Sequence, residues 1–510
     1  MQTHDTALFL GALIAYIGAL IWLGWRVSRR QISGEEFLLA DRSLPIFLTV
    51  GTTVATLVGT GSSMGAVGYG YANGWAGALY GIGGAIGIIL LAVLFGQVRR
   101  HRFMTMAEEL SYYFGANRVI KNLTAVLILV ASIGWLGAHI LGGGLYLAWI
   151  TGIDPSLAKL ITAFGFGVFV IVGGYVAVVW TDTVQAIVLF LGFLLMVVLA
   201  LNAVGGFDGL TQAVEAADPA KLSLLGLEKV GFLPGISLAL AIAVGALATP
   251  SYRQRIYSAK NEGTIRASFW TSGLLYLAFS LVPALVGMAA SVLNPGLENR
   301  NFAFPYMAVE VFPVGVGIVL LIAGLSATMS SASSDAIAGV SILLRDVWIL
   351  VTGRMPAKES VITLSRFGLA GVIGLALLLA LITNDIITYI TSMISMVLSG
   401  LFVASILGRF WPRATWIGGV GAMAAAFLAS WVVNGSASLT ATFGNPVIPA
   451  LAAATLAGVI LSLAIPVRRV SSEGALAILQ EERQRMEMVA EADGSIPAAS
   501  LTPLTTGRAG

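Results

Sequence analysis

The run Ala327-Thr328-Met329-Ser330-Ser331-Ala332-Ser333-Ser334-Asp335 places four serines and an aspartate inside a long apolar segment. Hydrocarbon offers no water to such groups, so at that depth they need partners or a ligand. At 100° per residue, Ala327, Ser330, Ser331 and Ser334 fall on roughly one helical face. That face offers hard, neutral oxygens, the donors that suit a small alkali cation. The competing reading is a stripe of small residues packed on a neighbouring helix, with the hydroxyls bonded back to their own carbonyls. Two further segments could add backbone oxygens. Gly59-Thr60-Gly61-Ser62-Ser63 and Gly245-Ala246-Leu247-Ala248-Thr249-Pro250 both predict interrupted helices. Glycine exposes backbone, and proline frees a carbonyl by lacking an N–H.

The elements around these residues belong to a polytopic membrane protein. Of 510 residues, 57% are hydrophobic and only 10% charged, and mean hydropathy is +0.91, unlike any soluble globular chain of this length. The isoelectric point of about 9.1 would suit a polyanion partner, but the basic residues are dispersed at predicted helix ends. Of the 28 Lys and Arg, only Lys159, Lys221, Lys229 and Arg300 fall on one side. The bias marks the other side as cytosolic and accounts for the basicity without nucleic acid. The absence of cysteine excludes disulfides and thiolate chemistry. The three histidines, His4, His101 and His139, form no HExxH pair, and an enzyme is not expected. Nor does the chain show the repeated pore loops of a channel. The apolar stretch Ala7–Gly24 is followed, not preceded, by Arg26, Arg29 and Arg30, so it reads as a span and not as a cleavable leader.

Thirteen spans are expected, at about 6–27, 44–70, 75–98, 120–149, 158–180, 182–204, 232–252, 266–290, 314–343, 363–382 and 385–408, with two more between Ala414 and Val467. The seventh is expected to end at a cytosolic Tyr252-Arg253-Gln254-Arg255. An odd count puts the N-terminus outside and the C-terminus in the cytosol of a plasma (inner) membrane protein. Spans 2–6 and 7–11 begin on opposite sides, so they form two inverted five-helix units, an arrangement that places sites at the midplane on interrupted helices. The expected fold class is therefore an all-α polytopic membrane protein. Its parts are an N-terminal peripheral helix (1–30), a first five-helix repeat (41–204), a second inverted repeat (232–410), two C-terminal peripheral helices (411–467) and a cytosolic tail (468–510). In the tail, Ser472–Val489 reads as an amphipathic helix and Gly494–Gly510 as disordered.

Four segments carry a likeness beyond composition. Glu36-Phe37-Leu38-Leu39-Ala40-Asp41-Arg42-Ser43-Leu44 leads into the second span. Gly173-Gly174-Tyr175-Val176-Ala177-Val178-Val179-Trp180-Thr181-Asp182-Thr183-Val184-Gln185 joins the fifth to the sixth. Gln254-Arg255 precedes Ser258-Ala259-Lys260, and Ala327–Asp335 lies in the ninth span. In this order, over most of the chain, they resemble the sodium:solute symporter family, which includes sodium/glucose, proline, pantothenate and sialic acid symporters. The resemblance implies a LeuT-like core and sodium-coupled symport of a small polar organic solute by alternating access. It implies a main sodium site of the Ala55, Val58 and Ala327 carbonyls with the Ser330 and Ser331 hydroxyls. It further implies a second sodium site of Asp182, Ser330, Ser333 and Ser334, for which the competing role of Asp182 is an N-cap of the sixth span. Asp335 matches no family role: it could pair with a basic group, line a water path or sit neutral.

By motif the closest branch looks choline-transporter-like, through Trp135 and the serine-rich ninth span. A quaternary ammonium needs an aromatic cage, and the positions expected to be aromatic are Leu57 and Pro250. With Trp135 alone the cage is incomplete, and choline is not expected to be a high-affinity solute. The expected pocket combines Ser62, Tyr80, Trp135 and His139, the last two sharing a helical face. It suits a small polar, zwitterionic or carboxylate solute. Sodium is the coupling ion, no other cofactor is expected, and the remaining partners are the solute and membrane lipids. The alternatives are a proton-coupled transporter of similar fold, against which the neutral serine-rich site argues, and a choline or quaternary-amine symporter.

Overall fold

Each long apolar stretch forms helix, as hydrocarbon requires of a backbone that crosses it. The computed structural model describes residues 3–28, 42–356, 360–467 and 470–492. The Glu36–Asp41 part of the lead-in and the Gly494–Gly510 tail lie outside the described residues. Among the described residues there is no strand, and one isolated bridge joins Leu44 to Ala259.

The chain begins with α1 (Thr3–Ser28), followed by α2 (Ile46–Leu57), α3 (Ala66–Asn73), α4 (Ala78–Phe95) and the short α5 (Met106–Tyr113). Two long helices follow, α6 (Arg118–Thr151) and α7 (Pro155–Ala203), each started by a side-chain cap, Asn117 or Asp154. Next come α8 (Phe232–Ala248), α9 (Pro250–Ser258), α10 (Glu262–Phe279), α11 (Leu281–Leu293), α12 (Val314–Ile342) and α13 (Val361–Ala380). The chain closes with α14 (Ile386–Met393), α15 (Ser399–Phe410), α16 (Trp416–Asn434), α17 (Val447–Ala464) and α18 (Ser472–Ala492). Helix α12 is the centre: it packs on α2, α6 and α7, and every residue from Ala323 to Ile342 is buried.

Ten segments are long and apolar enough to cross a membrane, or eleven if the bent pair α8–α9 is one crossing. The count of thirteen is therefore not reached by length and hydropathy. The second and fifth expected spans fall on shorter apolar helices, Ile46–Leu57 and Pro155–Val168. Both positions belong to helices that the chain interrupts.

Two expected boundaries move. The fifth and sixth spans do not part at Thr181: α7 runs helically through it, and the break lies at Gly174 (φ 62, ψ −177), a conformation essentially reserved for glycine. The Thr181 and Thr183 hydroxyls do not stop the helix because they bond back to Ala177 O (2.9 Å) and Val179 O (2.8 Å). The seventh span does not end in water at Tyr252–Arg255 either. The chain bends by 42° between α8 and α9, and all four residues are buried. Arg253 can be buried because Glu109 pairs with it at 2.6 Å and Phe95 lies 3.6 Å beneath its guanidinium.

The C-terminal helix α18 docks on the basic face. Arg483 bonds Glu108 (2.7 Å) and Arg102 O (3.3 Å), and Glu482 accepts from Lys121 at 2.8 Å.

Gly174→Ala is expected to destabilise the protein by about 1–3 kcal/mol, because a Cβ is strained at this φ,ψ. Thermal unfolding in detergent, with a control substitution at the unconstrained Gly371, measures it.

Candidate functional site

Helix α2 ends where Val58 leaves helical geometry (φ −85, ψ 64), and the chain re-enters helix through the π turn Gly61–Gly65. Carbonyls freed at a break inside a membrane protein must be satisfied from elsewhere. Helix α12 does this with its serines. Ser330 Oγ donates to Ala55 O at 2.9 Å and also lies 2.8 Å from Ser326 O and 3.3 Å from Ala327 O. Ser331 Oγ reaches Thr56 O at 3.1 Å and Ala55 O at 3.3 Å. Of the five groups expected to hold sodium, Ala55, Ala327, Ser330 and Ser331 thus converge. Val58 is the break residue itself and is fully buried. Serine hydroxyls that donate to carbonyls can instead turn their lone pairs to a cation, which would then collect the same carbonyls.

The four residues of the second expected set also converge. Ser334 Oγ donates to Asp182 Oδ2 at 2.9 Å, Ser333 Oγ lies 3.4 Å from Asp182 Oδ1, and Ser333 Oγ also bonds Ser330 O at 3.0 Å. Two residues not foreseen complete the group. Thr52 donates to Asp182 Oδ2 (2.7 Å), and the Arg255 guanidinium lies 3.6 Å from that oxygen. Arg255 Nη2 also bonds Thr52 Oγ1 (2.7 Å), Thr56 Oγ1 (2.5 Å) and Ser334 Oγ (2.8 Å). The capping role considered for Asp182 does not hold, because the residue lies well inside α7, eight positions beyond Gly174.

The expected solute residues line one cavity of about 40 Å³ beside the α2 break: Ser62, Tyr80, Trp135 and His139. That volume holds about three water molecules. Trp135 Nε1 donates to Thr249 Oγ1 at 2.9 Å, at the α8–α9 bend. His139 is tied at both ring nitrogens, Nδ1 to Thr60 Oγ1 (3.0 Å) and Nε2 to Asp335 Oδ2 (3.2 Å). Among the lining residues outside the expected set are Tyr252, Tyr276 and Asp335, which contacts His139. Asp335 carried a signal, being four residues beyond Ser331 on the same face. Tyr252 follows the Pro250 break, and nothing in the pattern singled out Tyr276. The aromatic lining is therefore richer than expected: Tyr252 and Tyr276 join the expected Tyr80 and Trp135. Leu57 lines it as expected, whereas Thr249 and Ser251 line it at the bend in place of Pro250.

Ion set and cavity meet at Gly59. A Cβ there would lie 2.6 Å from Ser331 Oγ and 3.2 Å from His139 Cε1. Gly59→Ala is expected to raise the half-saturating sodium concentration by about tenfold to a hundredfold, the equivalent of overpacking by about 1–3 kcal/mol. Sodium titration of uptake by the purified variant in proteoliposomes measures it.

No group of three or more His, Asp or Glu residues that could hold a metal ion occurs among the described residues. The family model described as "Sodium:solute symporter family" matches residues 37–432. The chain is 24% identical over 440 residues to the sodium/glucose cotransporter 1 of Oryctolagus cuniculus, covering 77% of this chain and 66% of that protein's length. It is 26% identical over 412 residues to the high-affinity choline transporter 1 of Caenorhabditis elegans, covering 74% of this chain and 68% of the other. The fold matches that of a sodium-coupled sialic acid symporter in its substrate-bound outward-open state, with a TM-score of 0.75 at 19% identity over 91% of this chain and 99% of that one. The match over most of its length, on an all-helical fold with interrupted helices, places the chain in the sodium:solute symporter family, and sodium-coupled symport is the activity that this membership supports.

Proposed function

We propose that the protein is a multi-pass sodium symporter for a small polar organic solute, with its main sodium held by the Ala55, Val58 and Ala327 carbonyls and the Ser330 and Ser331 hydroxyls. The observation that carries the reading is the docking of both hydroxyls on carbonyls at the α2 break, 2.9–3.3 Å away. These oxygens are neutral, so a monovalent cation binds without a carboxylate and is released readily. The solute occupies the adjoining cavity, against Ser62, Tyr80, Trp135 and His139. The N-terminus is outside and the C-terminus cytosolic. In support, α18 is bound to the same face as Arg102, the basic side.

At the second set, Arg255 supplies the charge that Asp182 needs. A sodium added there would bring a second positive charge into a site already neutralised. Transport with one sodium per solute follows. One observation favours the proton-coupled alternative: His139 and Asp335, both titratable, sit beside the ion set. Uptake driven by a pH gradient in sodium-free proteoliposomes would support it.

Two outcomes are expected. Ser330→Ala combined with Ser331→Ala abolishes sodium-dependent uptake, because two of about five ligands are lost from a cation with no water to replace them. Wild-type sodium dependence in that variant would refute the site. The Hill coefficient for sodium in the wild type is near one. A coefficient near two that falls in Asp182→Asn would place a second sodium beside Arg255.

A further inference from the structure

We propose that the solute carries a protonated primary or secondary amine, received by Asp335. The inference deepens the reading of the cavity as the solute pocket and rests on it. Asp335 is 2% exposed and lines the cavity. One carboxylate oxygen, Oδ2, contacts His139 Nε2 at 3.2 Å, while Oδ1 is buried and has no hydrogen-bond partner. A buried acceptor left without a donor is costly, most of all at membrane depth. A solute N–H would satisfy it, and a charged donor on a carboxylate makes the stronger bond.

Three further observations narrow the donor. The walls carry the rings of Tyr80, Trp135, Tyr252 and Tyr276, and aromatic faces attract a cation. Apart from His139, no basic side chain lines the cavity, so the protein itself offers little to offset the like charge that a solute carboxylate directed at Asp335 would meet. The cavity is small, about 40 Å³, and a trimethylammonium head lacks the N–H that Oδ1 would accept. Asp335 lies one helical turn beyond Ser331 on α12, so the ammonium and the sodium would be held on one face of one helix.

The test uses the purified full-length protein in NaCl, with thermal stabilisation by added solutes as the readout. 2-Aminoethanol is expected to act at a concentration about tenfold or more below that of ethylene glycol, its neutral counterpart, or of choline. Asp335→Asn is expected to erase that ordering and Asp335→Glu to retain it. Equal potency of 2-aminoethanol and either other compound overturns the proposal, as does an unchanged ordering in Asp335→Asn. Stabilisation by NaCl over KCl reads the sodium site separately. It is expected to survive in Asp335→Asn, which shows that variant to be folded. Its absence from the wild type would count against the sodium reading and leave the amine ordering to be judged by itself.

Discussion

A helix that breaks inside a membrane protein leaves carbonyls with nothing to bond, and the site is organised around satisfying them. At the α2 break the donors are Ser330 and Ser331, reaching across from α12 to Ala55 O and Thr56 O. At the α8–α9 bend, Thr249 Oγ1 bonds back to Gly245 O (2.6 Å) and accepts from Trp135. Tyr252, just beyond the bend, reaches Thr56 O at 3.3 Å and ties the two breaks together. A sodium ion is one more way of meeting the same requirement, because it gathers carbonyl and hydroxyl oxygens that otherwise depend on each other. An ion bound at the proposed site would therefore bear directly on how α2 sits against α12.

The buried charges obey the same rule. Arg253 and Arg255 come from one short helix and are both almost wholly buried, yet each has a carboxylate and several oxygens around it. Arg253 is held by Glu109, which also accepts from Tyr113 (2.7 Å) and Tyr257 (2.5 Å). Arg255 is held among Thr52, Thr56, Ser334 and Asp182. Breaking such a pair leaves an uncompensated buried charge, which is far costlier than never having buried either partner. The Arg255 network joins α2, α7, α9 and α12, the elements that must shift against each other if access alternates.

With sodium and solute at the proposed sites, the two would be coupled by contiguity. A Cβ added at Gly59 would meet Ser331 on one flank and His139 on the other, and His139 in turn contacts Asp335, one turn along α12 from Ser331. A shift of α2 cannot alter the ion ligands without also moving the wall of the cavity. That is the physical content of coupling: two ligands bias one element.

The sequence by itself determined the class of molecule. Hydropathy required membrane-crossing helices, glycine and proline clusters marked the breaks, and serines in an apolar face marked the candidate ion site, since each of these follows from local composition and spacing. It could not place the break in α7, because Thr181 and Asp182 look like a boundary until their hydroxyl and carboxylate partners are known. It placed Arg255 in the cytosol, because a basic residue next to a bend ordinarily ends a span. Only the tertiary structure supplied Asp182, Thr52 and Ser334 as reasons to bury it. It likewise brought Tyr252, Tyr276 and Asp335 to Trp135 and His139. Those five residues come from four separate helices, and no periodicity within a segment encodes which face of one helix will meet which face of another. Burial of a charge or a ring is decided by partners distant in the chain, and those exist only once the helices have packed.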